Sequence, residues 1–313
     1  MTVRIPPRLR KGDLIGLAAP ASAPIAEERI QKGIEYLERL GYRVTLGEHV
    51  RDSYGYLAGL DEHRAEDFNA MLRDKRVKAI FCIRGGYGTP RIVSRIDYDA
   101  ARKNPKIIVG YSDITSLQMA LLARAGLVTF SGPMTGVEMW KGMDPFTEEH
   151  FWRLLTSTKV VGPLKNPPEA PLVIHRHGKA AGRLIGGNLS LVVCLMGTPY
   201  LPDLRKSILV LEDVEEEPHR VDRMWTQIQN SDVARSLSAL ALGLFTDCEP
   251  VDATSPHLTI EQVLEEIPGR VTCPTVSHLQ YGHVPRKLTL PLGLKARLDT
   301  RKGYLEILEP AVR

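Results

Sequence analysis

The 313-residue chain has little cysteine, few aromatic residues and no long run of either apolar or basic side chains. Each shortage removes a class of protein. The four cysteines, Cys82, Cys194, Cys248 and Cys273, stand far apart and form no C-x-x-C pair, which excludes a zinc knuckle and a thiol redox motif. They read as small buried hydrophobes of a reducing compartment. No Lys/Arg run exceeds residues 8–11, where Leu9 interrupts, and 41 basic against 37 acidic residues leave a net +4. The electrostatic footprint of nucleic-acid binding is therefore missing, and neither DNA nor RNA is an expected partner. With 43% hydrophobic and 25% charged residues the chain falls outside the disordered, fibrous and membrane classes, so no membrane partner is expected. Residues 4–23 imitate a signal peptide, but Asp13 interrupts the approach and the uncharged apolar stretch is only six residues, 14–19, before Pro20. A cytoplasmic protein is expected, with that stretch as its first strand.

What is present is a pattern of short apolar runs alternating with amphipathic stretches, over a length that suits two domains. Residues 13–19 form the first run; Ile30, Ile34 and Leu37 recur at helical spacing up to Gly41, and 42–46 return as a strand. Residues 61–73 predict a helix buried through Ala65, Phe68 and Leu72, followed by strands at 77–83 and 106–109 and a helix ending at Gly126. This is the signature of βαβ units around a parallel sheet, and it defines an α/β domain over 1–157. Gly162, Pro163, Pro167, Pro168 and Pro171 mark a linker at 158–171. The second domain, 172–313, mixes strands at 180–185, 208–211, 288–290 and 304–308 with helices at 189–195 and 218–228, the latter carrying Val221, Met224, Trp225 and Ile228 on one face.

Residues 106–117 run from a buried strand through Gly110 into a helix with Ser112 at the corner. A serine on such a turn projects its Oγ beyond the sheet edge, and the following amide, that of Asp113, lies at a helix start where an oxyanion is stabilised. The last glycine of G-x-S-x-G is replaced by Ile114, so local sequence allows equally a nucleophile elbow and a plain helix cap. The loop Arg84-Gly85-Gly86-Tyr87-Gly88-Thr89 follows another strand and would lie beside this corner, as a ligand loop or a tight turn. It lacks the third glycine of a dinucleotide fingerprint and the Gly-Lys-Ser/Thr of a Walker loop. Of nine histidines, His49, His63, His150, His219 and His257 sit in polar stretches and read as surface residues, and His175 and His177 have no acidic or cysteine neighbour. No metal-ligand spacing is visible, and neither a metal nor another cofactor is expected. His283 opens a turn before an apolar strand, and Glu212 ends the strand 208–211, where an acid is placed to orient a base.

Taken together, Gly-Tyr-Ser112-Asp-Ile-Thr, Arg84-Gly-Gly-Tyr-Gly, Tyr56-Leu-Ala-Gly with Asp61 and Arg64, Gly186-Gly-Asn188-Leu-Ser, Leu211-Glu212-Asp213-Val, and Gly282-His283 before Leu290-Pro-Leu-Gly293 resemble the LD-carboxypeptidase family of serine peptidases, in order from about residue 10 to 299. The resemblance implies a flavodoxin-like or amidotransferase-like parallel-sheet N-terminal domain and a β-rich, swivelling-type C-terminal domain, with the site between them. It assigns Ser112 as nucleophile, Glu212 as triad acid and His283 as base, with the backbone amides of Asp113 and Gly86 as oxyanion donors. It implies a small peptide or muropeptide substrate, in cell-wall recycling, and a homodimer. A terminal carboxylate on that substrate calls for a cation, for which Arg84 and Arg286 are candidates. Two alternatives stand beside it. One is a microcin-type self-immunity peptidase acting on aminoacyl-nucleotides, with Trp140 or Trp152 stacking a base. The other is a non-catalytic nucleotide- or peptide-binding module in which Ser112 only caps a helix. The loop 213–219 is unusually acidic for the family, and His219 stands where an aromatic residue is common.

Overall fold

The computed structural model describes residues 2–252 and 254–313. Six strands form the first sheet: β1 (Leu14–Ala18), β2 (Arg43–Leu46), β3 (Val77–Cys82), β4 (Ile107–Gly110), β5 (Thr129–Ser131) and, from far along the chain, β12 (Leu290–Leu292). Their spatial order is β12-β5-β4-β3-β1-β2, and all pairs except β12 with β5 are parallel. The 2-1-3-4-5 core is the flavodoxin-like arrangement, whose strand order reverses between β1 and β3 and so opens a crevice at the carboxyl ends of the strands. The central strands are apolar on both faces because helices cover both: Ile15, Leu17, Ala79, Phe81, Ile107 and Val109 are all fully buried.

The helices Glu27–Arg39, Asp61–Arg73 and Thr115–Ala125 supply that cover. In the second, Ala65, Phe68 and Leu72 are buried as the periodicity requires, together with Arg64, Asp67 and Asn69, which the apolar periodicity does not mark. Each has a partner that makes burial tolerable: Asp67 takes the amides of Glu48 and His49, and Arg64 donates to the Gly88 carbonyl. The third helix ends at Gly126 with φ 66°, the left-handed cap that glycine adopts without steric cost.

The second sheet holds β6 (Val160–Leu164), β7 (Val173–Arg176), β8 (Lys179–Asn188), β9 (Ser207–Val214), β10 (Ala239–Thr246), β11 (Thr275–Ser277), β13 (Lys295–Asp299) and β14 (Tyr304–Pro310). Its order is β6-β14-β13-β8-β9-β10-β11-β7. The centre, β8-β9-β10-β11, is parallel and the flanks are antiparallel. Two sheets and their helices thus make a two-domain α/β fold.

The proline-rich stretch is not wholly a linker. Residues Val160–Leu164 pair with β14 as an edge strand, where Pro163 and Gly162 are tolerated because one side of the strand needs no donors. The apolar run near 288–290, expected in the second domain, becomes β12 and returns to the edge of the first sheet, with Pro291 opposite Phe130. This crossing joins the domains, and one apolar core runs through both, from Ile15 and Phe81 to Leu184 and Leu211.

Candidate active site

The corner after β4 places Ser112 at φ 63°, a left-handed conformation that a residue with a Cβ seldom adopts. The turn is this tight because Gly110 lies against Ile114, where a Cβ would come within 2.9 Å. Facing it, the loop after β3 brings Gly85 so close that a Cβ there would stand 2.9 Å from the Ser112 Cβ and 3.1 Å from its Oγ. The loop is held in turn by Ser22, whose Oγ accepts from the Tyr87 amide at 3.0 Å. Neither the Gly86 nor the Asp113 amide donates a hydrogen bond to the described residues. Both residues line the cavity that holds Ser112.

The partner side comes from the second domain. Glu212, near the end of β9, is fully buried. Its Oε2 accepts from His283 Nδ1 at 2.7 Å. Room for this carboxylate depends on glycines, since a Cβ on Gly282 would lie 3.2 Å from Glu212 Oε2 and one on Gly243 3.2 Å from the Glu212 Cβ. With Nδ1 committed to Glu212, Nε2 is the imidazole nitrogen left for chemistry. The Tyr111 ring meets His283 edge-on, with 5.0 Å between centroids.

Ser112 and His283 line one cavity of about 610 Å³ at the carboxyl edge of the first sheet, with Arg29, Arg84, Gly86, Asp113, Asn188, Asp213, Glu215 and Glu216. No hydrogen bond joins Ser112 Oγ to His283 among the described residues, an arrangement that substrate binding commonly tightens. The cavity is electrically divided. On one wall neither Arg29 nor Arg84 belongs to an ion pair among the described residues; Arg84 donates to the Ala23 carbonyl at 3.2 Å, and burial and the neighbouring Arg29 lower its pKa. On the other, Asp213 accepts from Asn188 Nδ2 at 2.7 Å, from the Ser190 hydroxyl at 2.7 Å and from two backbone amides, yet burial pushes its pKa up to about 6. Burial likewise raises Asp113 to about 6, against the opposing hydrogen bond from the Thr89 amide.

Behind the site, Glu138 accepts from Tyr111 Oη at 2.7 Å, from Lys287 Nζ at 2.6 Å and from the Met134 amide at 2.9 Å. The Lys287 ammonium also lies 3.8 Å from the Tyr111 ring centroid. This buried cluster ties Tyr111, the neighbour of Ser112, to the segment that carries His283.

Two family models match the chain, the LD-carboxypeptidase N-terminal domain over residues 15–132 and the LD-carboxypeptidase C-terminal domain over 181–298. A probable murein peptide carboxypeptidase of Bacillus subtilis is 39% identical over 298 residues, covering 94% of this chain and 91% of its own. The chain belongs to the LD-carboxypeptidase family. Among solved structures, the muramoyltetrapeptide carboxypeptidase of Oxalobacter formigenes superposes with a TM-score of 0.80 at 31% identity, over 94% of this chain and 97% of that one. The microcin self-immunity protein MccF in its wild-type apo state superposes with a TM-score of 0.90 at 27% identity, over 99% and 100%. As a family member the chain is a hydrolase of the serine carboxypeptidase type, and the two-domain fold is the family's.

Not every residue singled out from the sequence of this LD-carboxypeptidase reaches the cavity. Arg286 does not line it; its guanidinium pairs with Asp144 and Glu169 at an exposed position, since it follows His283 by three residues on a turn that leads outward. Trp152 stacks on Tyr42 at 5.2 Å and donates from Nε1 to Tyr36 Oη at 2.7 Å, and Trp140 lies beneath the Arg29 guanidinium at 4.6 Å. Neither tryptophan lines the cavity, so the base-stacking role considered for them has no place there. Sequence reasoning overlooked Asn188 and Ser190 as holders of Asp213, although Gly186-Gly-Asn188 was visible as a motif, and it overlooked the Tyr111, Glu138 and Lys287 cluster, whose members lie up to 176 positions apart in no local pattern. It also read His49 and His63 as unrelated surface residues, whereas the fold brings them together with Asp52.

Proposed function

We propose that this chain is a murein tetrapeptide LD-carboxypeptidase, which hydrolyses the bond between an L-diamino acid residue and the terminal D-Ala by a Ser112, His283, Glu212 triad. The observation that carries the reading is the conjunction, in one cavity, of a serine held at φ 63°, an imidazole bound through Nδ1 to a buried glutamate, and two arginines that form no ion pair among the described residues. His283 Nε2 takes the Ser112 proton as Oγ attacks the scissile carbonyl; Glu212 holds the productive tautomer and stabilises the imidazolium. The Asp113 and Gly86 amides receive the oxyanion. The tetrahedral adduct expels D-Ala, whose amine takes the proton from His283, and water resolves the acyl-enzyme through the same base. Arg84, with Arg29 behind it, suits the terminal carboxylate of the substrate. The acidic wall of Asp213, Glu215 and Glu216 suits the side-chain ammonium of the L-diamino acid, which explains a loop more acidic than the family pattern.

The cytoplasm and a homodimer belong to this reading, the first supported by four unpaired cysteines, the second by the family resemblance. No helix among the described residues is long and apolar enough to cross a membrane. The test is stereochemical. The enzyme is expected to release D-Ala from L-Lys-D-Ala peptides and to spare L-Lys-L-Ala, with the discrimination in kcat/KM, because inverting the terminal centre moves the carbonyl off the oxyanion donors. Equal cleavage of both peptides rejects the proposal. Cleavage of neither, with hydrolysis of an aminoacyl-sulfamoyl adenylate, replaces it by the self-immunity reading.

A further inference from the structure

Away from the cavity, the segment after β2 and the start of the helix Asp61–Arg73 bring three metal-competent side chains to one point. Asp52 Oδ2 lies 3.0 Å from His49 Nδ1 and 3.1 Å from His63 Nδ1, and the two imidazoles stack with 3.9 Å between centroids at 17°. We propose that His49, Asp52 and His63 form a binding site for one divalent transition-metal ion of the zinc type. The inference is independent of the peptidase reading.

Three features support a built site rather than a chance meeting. First, His49 is fixed at its backbone: its own amide and that of Glu48 donate to Asp67 at 2.9 and 3.1 Å. Asp67 sits four residues after His63 on the same helix, so one helix face orients two of the three ligands. Second, Asp52 is brought in by a turn in which its amide donates to the His49 carbonyl at 3.0 Å, and the loop closes over it at Gly59, φ 91°, where a Cβ would strike the Asp52 Cβ at 2.7 Å. Third, the spacing fits an ion. Four ligands at roughly 2.0–2.1 Å around zinc stand about 3.3 Å from one another, so the two His–Asp separations need to open by about 0.2–0.3 Å while one of the two stacked imidazoles turns to bring the ion into its ring plane.

The donor set decides the class of ion. Two imidazoles and one carboxylate suit Zn²⁺, Co²⁺ or Ni²⁺, and are a poor match for Mg²⁺ or Ca²⁺, which take oxygen, or for Cu⁺, which takes thiolates. The side chains are partly exposed, 26%, 41% and 40% for His49, Asp52 and His63, which leaves a route of entry and room for water to complete the coordination. An ion here would brace the loop carrying Tyr56, whose ring meets Tyr87 of the cavity wall edge-on at 5.3 Å.

The experiment is titration of the chain, free of any added histidine tag, with zinc chloride by calorimetry. One equivalent is expected to bind saturably. His49→Gln and His63→Gln each weaken it by at least about tenfold, with His257→Gln, in a separate exposed loop, unchanged. Zinc raises the Tm of the wild-type chain and not that of the two ligand variants, whose metal-free Tm reports whether they are folded. A measurement that needs no variant accompanies it: cobalt(II) chloride is expected to give visible absorption stronger than that of the aqueous ion, bleached by one equivalent of zinc. Absence of saturable zinc binding up to about 100 μM overturns the proposal, as do equal affinities in the folded ligand variants or a cobalt spectrum identical to that of the free ion.

Discussion

Replacing Ser112 by glycine and by alanine separates two properties of this residue, its chemistry and its strain. Both changes remove Oγ, which makes no hydrogen bond to the described residues, so neither leaves a partner unsatisfied. They differ at Cβ. At φ 63° a residue with a Cβ bears a steric cost of roughly 1–2 kcal/mol, which alanine keeps and glycine loses. Glycine also gains entropy in the unfolded chain, worth roughly 0.5–1 kcal/mol against the folded state. The difference leaves Ser112→Gly more stable than Ser112→Ala by about 0.5–1 kcal/mol, or about 1–3 °C in a chain of this size. Turnover is expected to fall by about 10³-fold or more in both, because either variant lacks the proposed nucleophile. Paired calorimetric scans with an assay of D-Ala release read both quantities. A glycine variant less stable than the alanine variant by more than about 0.5 kcal/mol contradicts the strained corner, and activity within about tenfold of wild type in either contradicts the nucleophile.

Burial raises Asp113 to about 6 from 3.8, so its contribution to stability is fully present below pH 3.8 and is lost as pH rises through 6. Its Oδ1 is buried without a partner, and Asp113→Asn is therefore expected to stabilise the fold by about 1–3 kcal/mol at pH 7, with no gain near pH 4; urea unfolding at the two pH values checks it, and an equal effect at both counts against the raised pKa. Lys287→Met strands the buried Glu138 carboxylate and is expected to cost about 3–5 kcal/mol by urea unfolding, with Lys287→Met/Glu138→Gln recovering part of it; a loss under about 1 kcal/mol shows the pair to be dispensable. Glu212→Gln and His283→Ala should each lower kcat strongly and combine far from additively, since both disable one base; additive losses on the logarithmic scale separate them into independent roles.

Much of the first domain is legible along the chain because its strands are buried on both faces and read as unbroken apolar runs, as at 79–83 and 107–109. The corner at Ser112 is legible for the same reason: a buried strand, a small residue and a helix start leave few conformations for the residue between. What local pattern does not contain is the meeting of distant segments. Glu212 and His283 are 71 positions apart, and only the family resemblance paired them. The return of Leu290–Leu292 to the first sheet depends on β5 presenting an open edge, which residues 288–292 do not encode. The proline-rich stretch misled because proline excludes a central strand but not an edge one, and Val160–Leu164 is an edge. His49, Asp52 and His63 carry no spacing motif, because the turn at Gly59 and the capture of His49 by Asp67 create their proximity.

The central claim, a serine-based cut before a terminal D-Ala, is tested most directly by mass spectrometry of murein tetrapeptide incubated with the wild-type chain and with Ser112→Ala. The account predicts that the wild type converts tetrapeptide to tripeptide with release of free D-Ala, and that the folded alanine variant leaves the tetrapeptide intact. Tetrapeptide left whole by the wild type, or converted equally by both, would contradict it.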